Sequence, residues 1–554
     1  MGKKIIIIGG IAAGTAAAAK CRRMDEGLEI VLYEKDKYIS YGTCGLPYFV
    51  SGKIKGINKL LINTPGHFAK RFNIDVRTRH EVLKIIPEDK KILVRDLKSG
   101  NLFQDSYDRL ILATGSDPVR IPLQGFDAEN VFTLKTLKDS IKLKTFLGKD
   151  KRSDKSAVII GGGFIGLELI EAFMEYGCRV SIVEKMDQLL PAFDREIIEY
   201  LENYLDSRDV AVFKQEEAAR LVRDKSGLVN SVETRGGRKL KADLVFFGIG
   251  VRPNTGLARE CGIKTGDSGA IEVDRSMMTN IEDIYAAGDC CQCRNTISGE
   301  LRSYNLASIA NRQGWTAGYN AAGGSEVFSG SNITSMIRIL DIAIGKTGLG
   351  YREAKASGHD PAYIELHYNS HAGYYPGAQL MHCLAVYEKS TGRLLGMQAI
   401  GKDGIDKRID TAAAAIGNGM DICQLAELDL SYQPAYGSAR DALNILGMIG
   451  ENLKKGQVGF VDIPGLKENG IPEGSILLDV RSEKEFTAGH IQGAVHIHVD
   501  ELRQNLERLD KDREIIIYCK TGYRAYLALR ILANEGFGDV KLLNGSYLSW
   551  MREI

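Results

Sequence analysis

Two cysteines stand where sulfur chemistry could be done. Cys44 lies in SYGTCGLPYFVSG, after the strand-like run EIVLYEKDKYI and at the entrance to a short helix. Gly42 and Gly45 flank its sulfur, and Pro47 falls where a first helical turn accepts proline. A helix N-terminus lowers a thiol's pKa and favours the thiolate, the form that attacks a sulfur–sulfur bond. The plain alternative is a buried structural thiol that packs as a small hydrophobe. Cys519 ends the strand-like IIIYC, and the six residues Cys519 to Arg524 precede a helical pattern. That arrangement aims several backbone N–H groups at one sulfur, as in an anion-binding nest. With Arg524 and the helix dipole it favours a thiolate or persulfide; the alternative is an inactive binding module.

Thiols that cycle need an electron source and a frame, and two strand–glycine turn–helix units supply both. SAVIIGGGFIGLELIEAFMEYG holds a complete G-x-G-x-x-G at Gly161, Gly163 and Gly166. The first glycine makes the turn, the second admits a pyrophosphate and the third allows close helix packing. The exposed N–H groups and the helix dipole then stabilise the diphosphate. Glu184 follows Gly166 by 18 residues, at a strand end, placed to accept from a ribose 2′-hydroxyl. That favours NADH, with NADPH the alternative because Lys185 is adjacent. The first unit, KKIIIIGGIAAGTAAAAKCRRM, keeps Gly9 and Gly14 but has Ile11 in the middle position, and Glu34 follows Gly14 by 20 residues. Two such folds in one chain imply two nucleotides.

At 554 residues the chain is too long for one core, and three or four domains are expected. Its 72 basic and 71 acidic residues nearly cancel, so no bulk attraction to nucleic acid or an anionic membrane is expected. MGKKIIIIGG runs straight into a strand and a glycine turn, unlike a signal peptide. No apolar run approaches the roughly 20 residues that span a bilayer. Ten scattered cysteines without a secretion signal suggest reduced thiols in the cytoplasm. CCQC at 290–293 has no second Cys/His pair at finger spacing, and no metal is expected. From about residue 331 the texture becomes mixed α+β, ENLKKGQVGF reads as a linker, and short strands then alternate with helical patterns.

The pieces GGIAAG, ATGSDP, GGGFIGLE, GIGVRPN and IYAAGD together resemble the pyridine nucleotide-disulfide oxidoreductase family over residues 1–450. The resemblance implies an α/β chain with two Rossmann-like domains, one for FAD (1–115 and 276–330) and one for NAD(P)H (116–275). An α+β dimerisation domain (331–450) would follow, then a linker (451–460). It also implies that Thr114, Gly115 and Asp289 help hold FAD, Asp289 on the ribityl hydroxyls, and that Glu168 lies near the flavin–nicotinamide stack. Family members that handle disulfides usually carry C-x-x-x-x-C, but Phe49 stands five residues after Cys44. SYGTCGLPY instead resembles the single-cysteine branch: NADH oxidases, NADH peroxidases and coenzyme A-disulfide or persulfide reductases. The peroxide- and oxygen-reducing members carry histidine in the first glycine loop, where this chain has Ala12. NSHAGYYPGAQ and LDLSYQPAYGSARD resemble segments that cross the dimer to the partner's active site. By that motif Tyr374 and Tyr432, with Tyr375 and Tyr436 as neighbours, would donate a proton to a departing thiolate. For coenzyme A, the resemblance offers Arg23, Ser40, Thr43, Asn63, Lys70 and Arg71. Thr43 departs from the asparagine common at that position.

DVRSEKEFTAGHIQGAVHI with IIIYCKTGYRAYLALRIL resembles a rhodanese, an α/β domain over 461–554 with Cys519 as sulfur carrier. Asp479, Arg481 and His490 read as structural. The expectation is a homodimeric FAD-dependent NAD(P)H reductase of sulfur–sulfur bonds in coenzyme A persulfide, polysulfide or coenzyme A disulfide, a small thiol or sulfane-sulfur substrate, with active sites shared across the interface. An NADH oxidase or peroxidase, and a low-turnover redox-sensing sulfur carrier, are the alternatives.

Overall fold

The computed structural model describes residues 2–149 and 154–552. The chain forms two compact units, one of 1–189 with 209–331 and one of 190–208 with 332–554.

The apolar run at the N-terminus becomes the buried strand Lys4–Ile8, the centre of a five-stranded parallel sheet. Glu29–Glu34 and Asp75–Thr78 lie on one side of it, and Arg109–Leu112 and Ile284–Ala286 on the other. A strand buried on both faces needs no polar alternation, which explains the run of isoleucines. The second unit of sequence repeats the plan. Lys155–Ile160 centres a five-stranded parallel sheet with Cys178–Val183, Ala211–Phe213, Leu244–Phe247 and Val131–Phe132. Each sheet is accompanied by a three-stranded antiparallel meander, His80–Ile86 to Leu102–Ser106 and Ala218–Arg223 to Lys239–Lys241. The two chain crossings between the nucleotide folds pair with each other, Ser116–Pro118 against Val251–Pro253.

In the second compact unit an antiparallel sheet runs in the order Ser335–Ile339, Ile342–Gly348, Leu394–Gly401, Leu380–Glu388, Pro361–Asn369. Helix Ile405–Gly417 packs on it closely enough that a Cβ at Gly345 would lie 2.6 Å from Ile409. Helix Arg195–Asp206, inside the 116–275 stretch by sequence, groups with this unit. The C-terminal sheet is parallel, with Ile515–Tyr518 in the centre, Ile476–Asp479 and Val495–His496 to one side, and Val540–Leu543 and Phe460–Val461 to the other.

The polar stretch expected to be a linker over 451–460 is shorter than that. Helix Ala442–Lys454 runs into it, supported by the Glu451–Lys455 pair one turn apart (3.1 Å). Val458 is already part of the C-terminal core, and strand Phe460–Val461 follows.

Candidate active site

The two glycine turns share one construction. Gly9 and Gly161 sit at φ +107° and +97°, and a Cβ there would lie 2.1 Å from the Ala113 carbonyl and 2.7 Å from that of Gly248. Only glycine is compatible with both constraints. Gly14 and Gly166 let each helix close on its own strand, since a Cβ would meet the carbonyls of Gly9 (1.8 Å) and Gly161 (2.9 Å). The middle position is less demanding. Gly163 has φ −84° and Ile11 φ −101°, so a side chain there costs no backbone strain.

Glu34 and Glu184 are engaged by backbone donors of their own turns. Glu34 accepts from the N–H groups of Gly10 (2.7 Å) and Asp36 (2.8 Å); Glu184 accepts from those of Gly162 (2.6 Å) and Met186 (2.7 Å). Each carboxylate thus fixes its own glycine turn. Burial raises the Glu34 pKa despite these bonds. A cavity of about 650 Å³ opens onto the first turn, lined by Gly9, Glu34, His80, Val82, Thr114 and Asn254 among others. Its size and donors fit the adenosine half of a dinucleotide. Thr114 and Gly115 (φ +70°) meet the returning chain crossing: Thr114 Oγ1 donates to the Asn254 carbonyl (2.6 Å) and Asn254 N–H donates to Gly115 (2.9 Å).

Asp289 follows strand Ile284–Ala286, and its Oδ2 is held by Lys135 Nζ (3.1 Å) and Ser116 Oγ (2.8 Å). Ser116 falls within ATGSDP, whereas Lys135 is marked by no motif. Glu168, in helix Phe164–Glu175, is pushed up to about 7 by burial.

The Cys44 loop is tied to the first glycine turn. Ser40, in a left-handed conformation (φ +47°), donates its N–H to the Gly10 carbonyl (2.8 Å) and accepts from Ile62 N–H (2.8 Å). Gly10 is therefore gripped on both sides, by Glu34 and by Ser40. Asn63 Nδ2 bonds Ser40 Oγ at 3.2 Å, so these two expected ligand groups pair with each other. Thr43 is half-buried, and Cys44, in the turn Thr43–Gly45, is exposed. Pro47 lies in the first turn of the helix Leu46–Ser51. Phe49, in the position of the absent second cysteine, is a buried core residue beneath the Lys144 ammonium (4.4 Å).

The basic doublets divide. Arg22 is buried and donates to the carbonyls of Glu26 (2.7 Å), Leu28, Phe72 and Asn73 (each 2.8 Å). It thereby fastens the end of helix Pro65–Phe72 to the end of helix Ala12–Met24. Arg23, Lys70 and Arg71 are exposed at those two helix ends, Arg23 against the Trp315 ring (5.3 Å).

In the second unit the structure brings the two expected tyrosines together. The Tyr374 and Tyr432 hydroxyls are 2.8 Å apart on the surface, and that bond raises Tyr374 above its ordinary 10. Tyr375 and Tyr436 are exposed beside them in sequence. The loops are anchored by a buried pair that sequence reasoning missed: Arg408 binds Asp441 (2.6 and 3.2 Å) and the Ser370 carbonyl (2.8 Å). Asp441 in turn caps helix Ala442–Lys454.

Cys519 is buried at the end of Ile515–Tyr518, and Gly522 (φ +112°) donates its N–H to the sulfur at 3.1 Å. Arg524 is less free than its position suggested, because Glu485 takes its guanidinium in a two-pronged pair (2.6 and 2.7 Å). That pair holds the Glu485 carboxyl down to about 2. Glu485 also closes a capping box with Ser482 at the start of helix Glu483–Ala488. Asp479 and Arg481 form a buried pair (2.7 Å), and His490, exposed, stacks on Phe486 (4.0 Å).

A relative from Pyrococcus abyssi, NAD(P)H sulfur oxidoreductase (CoA-dependent), is 34% identical over 450 residues, covering 81% of this chain and 98% of its own. Reduced Bacillus anthracis CoADR-RHD superposes with a TM-score of 0.95 at 34% identity over 100% of this chain and 98% of that one. A NAD-dependent persulfide reductase from A. fulgidus does so with a TM-score of 0.92 at 33% identity, over 99% and 100%. Residues 335–443 match the dimerisation domain of the pyridine nucleotide-disulphide oxidoreductases, and 465–553 match the rhodanese-like domain. With residues 3–314 matching the core description as well, this chain belongs to the pyridine nucleotide-disulphide oxidoreductase family.

Proposed function

We propose that this enzyme reduces sulfur–sulfur bonds of coenzyme A persulfide, polysulfide or coenzyme A disulfide at the expense of NAD(P)H. The observation that carries the reading is a lone exposed thiol, Cys44, fastened to a nucleotide turn, with a core phenylalanine where a second cysteine would stand. The substrate then supplies the second sulfur.

We read 1–115 with 276–330 as the flavin-binding part and 116–275 as the nicotinamide-binding part. Gly9, Gly14, Glu34, Thr114, Gly115 and Asp289 would hold FAD; Gly161, Gly163, Gly166 and Glu184 would hold NADH, with NADPH the alternative. FAD, when bound, supplies a two-electron relay between nicotinamide and sulfur. The Cys44 thiolate attacks the substrate's S–S bond. With coenzyme A disulfide, a coenzyme A thiolate leaves; with the persulfide, attack on the inner sulfur expels hydrosulfide. Either leaves a mixed disulfide on Cys44, which two electrons from NAD(P)H return to two thiolates. Tyr374 and Tyr432, contributed from the partner in a homodimer with shared active sites, would protonate the leaving sulfur. Arg23, Lys70 and Arg71 would meet the phosphates, and Ser40, Thr43 and Asn63 would line the thiol end. Cys519, with Arg524 nearby, would carry sulfane sulfur toward Cys44. Ten free cysteines favour the cytoplasm.

The oxidase and peroxidase alternative lacks support at Ala12, which offers no proton. The deciding experiment compares kcat/KM for coenzyme A disulfide, coenzyme A persulfide and polysulfide in wild type, Cys44→Ser and Cys519→Ser. Turnover that survives Cys44→Ser would overturn the mechanism. Equal rates for wild type and Cys519→Ser on every acceptor would remove the rhodanese from the pathway.

A further inference from the structure

The stretch Asn544–Arg552, which follows the strand Val540–Leu543, has two working faces. One holds the sulfur loop. Ser546 Oγ accepts from the Cys519 N–H (3.3 Å), while Tyr547 and Leu548 donate their N–H groups to the carbonyls of Cys519 (3.0 Å) and Lys520 (3.2 Å). The other face is bonded to the dimerisation sheet. Asn544 Oδ1 accepts from Glu365 N–H (3.0 Å), and its Nδ2 donates to the Tyr363 carbonyl (3.2 Å). Ser549 Oγ lies 3.0 Å from His367 Nε2 and 3.3 Å from the Tyr200 hydroxyl, and all three residues are buried. Gly545 makes the approach feasible. At φ +71°, a Cβ there would lie 2.0 Å from Ser549 Oγ and 2.9 Å from the Glu365 Cβ. Arg552 closes the far end, bonding Glu365 (2.7 Å) and Glu199 (3.0 Å).

We propose that this stretch is a brace, with His367, Asn544 and Ser549 as positioning residues that set the geometry of the Cys519 loop from the dimerisation domain. Cys519 is held at its N–H by Ser546 and at its carbonyl by Tyr547, and Lys520 at its carbonyl by Leu548; all three holding residues lie between Asn544 and Ser549. Moving either anchor rotates that peptide and draws the Gly522 N–H away from the sulfur. An N–H···S bond stabilises the thiolate over the thiol, so its loss lowers the fraction of sulfur present as thiolate near neutrality. The inference rests on the reading of Cys519 as a sulfur-handling nucleophile.

The test is site-resolved alkylation of Cys519 by iodoacetamide across pH in the full-length holoenzyme, where the sulfur displaces iodide. His367→Ala and Ser549→Ala should slow alkylation near neutrality roughly three- to tenfold, the worth of one hydrogen bond. They should also move the profile to higher pH. His367→Gln, whose amide nitrogen can still reach Ser549, should restore the wild-type profile. Ser549→Ala removes a single oxygen and decides the matter if His367→Ala does not fold. Superimposable profiles for wild type and Ser549→Ala would overturn the brace. So would His367→Gln failing to restore the profile at equal melting temperature. Thiosulfate tests the underlying reading separately: its outer sulfur passes to Cys519 and sulfite leaves. Wild type that gains no sulfur by mass refutes the carrier role, while the alkylation profiles still decide the brace.

Discussion

Cys44 and Glu168 carry the sharpest expectations for single residues. Cys44→Ser should lower NAD(P)H-driven reduction on the order of 10³-fold or more, measured in steady state, because no second thiol stands in reserve. Glu168, raised by burial to about 7, binds a proton in the folded state that the unfolded chain releases near its ordinary 4.5. Its contribution to stability is full below about 4.5 and is lost as the pH rises through about 7. Glu168→Gln should therefore flatten that part of the urea-midpoint profile. Glu485 works in the opposite sense. Held at about 2 by Arg524, it stabilises the fold above its ordinary 4.5, and the effect is lost as the pH falls through about 2. The pair is partly solvated, so Glu485→Gln should cost no more than about 1 kcal/mol in denaturant titration.

Among the elements, the glycine turns and the tyrosine loops differ in how far sequence alone could describe them. Both turns were legible because their constraint is local: a strand, glycines at fixed spacing and an acid at the next strand end. What was not legible is that Glu34 and Glu184 fasten the turn itself, since a carboxylate's partner leaves no period in the sequence. Tyr374 and Tyr432 could be named from their surroundings, but their anchor could not. Arg408 and Asp441 are 33 residues apart and buried, and nothing local marks either as half of a pair. Replacing Arg408 with methionine leaves buried Asp441 only the Leu443 N–H (3.2 Å) and the more distant Lys407 (4.0 Å), at a cost toward the lower end of about 3–5 kcal/mol. Fluorescence and denaturation should report a loosened pair of loops together with that loss. Lys135 and Glu485 escaped for the same reason, each bound to a partner on a distant element.

For the molecule as a whole, the rhodanese sheet was foreseeable from short apolar strands alternating with helices, whereas its strand order and its attachment were not. Three stretches meet at the brace: helix Arg195–Asp206, strand Pro361–Asn369 and the segment ending at Arg552. The partners are as much as 353 residues apart, as in Glu199 and Arg552. Such contacts sit at the far end of loop-closure cost and form late. They also give the chain an order of assembly. During synthesis the dimerisation sheet leaves the ribosome well before Arg552, the cation that neutralises its buried Glu365. The sheet edge at 361–369 should therefore stay open to hydrogen exchange in a nascent chain halted before residue 540, and close only when the last segment emerges. The rhodanese is then the piece whose arrival completes the interior of the domain before it.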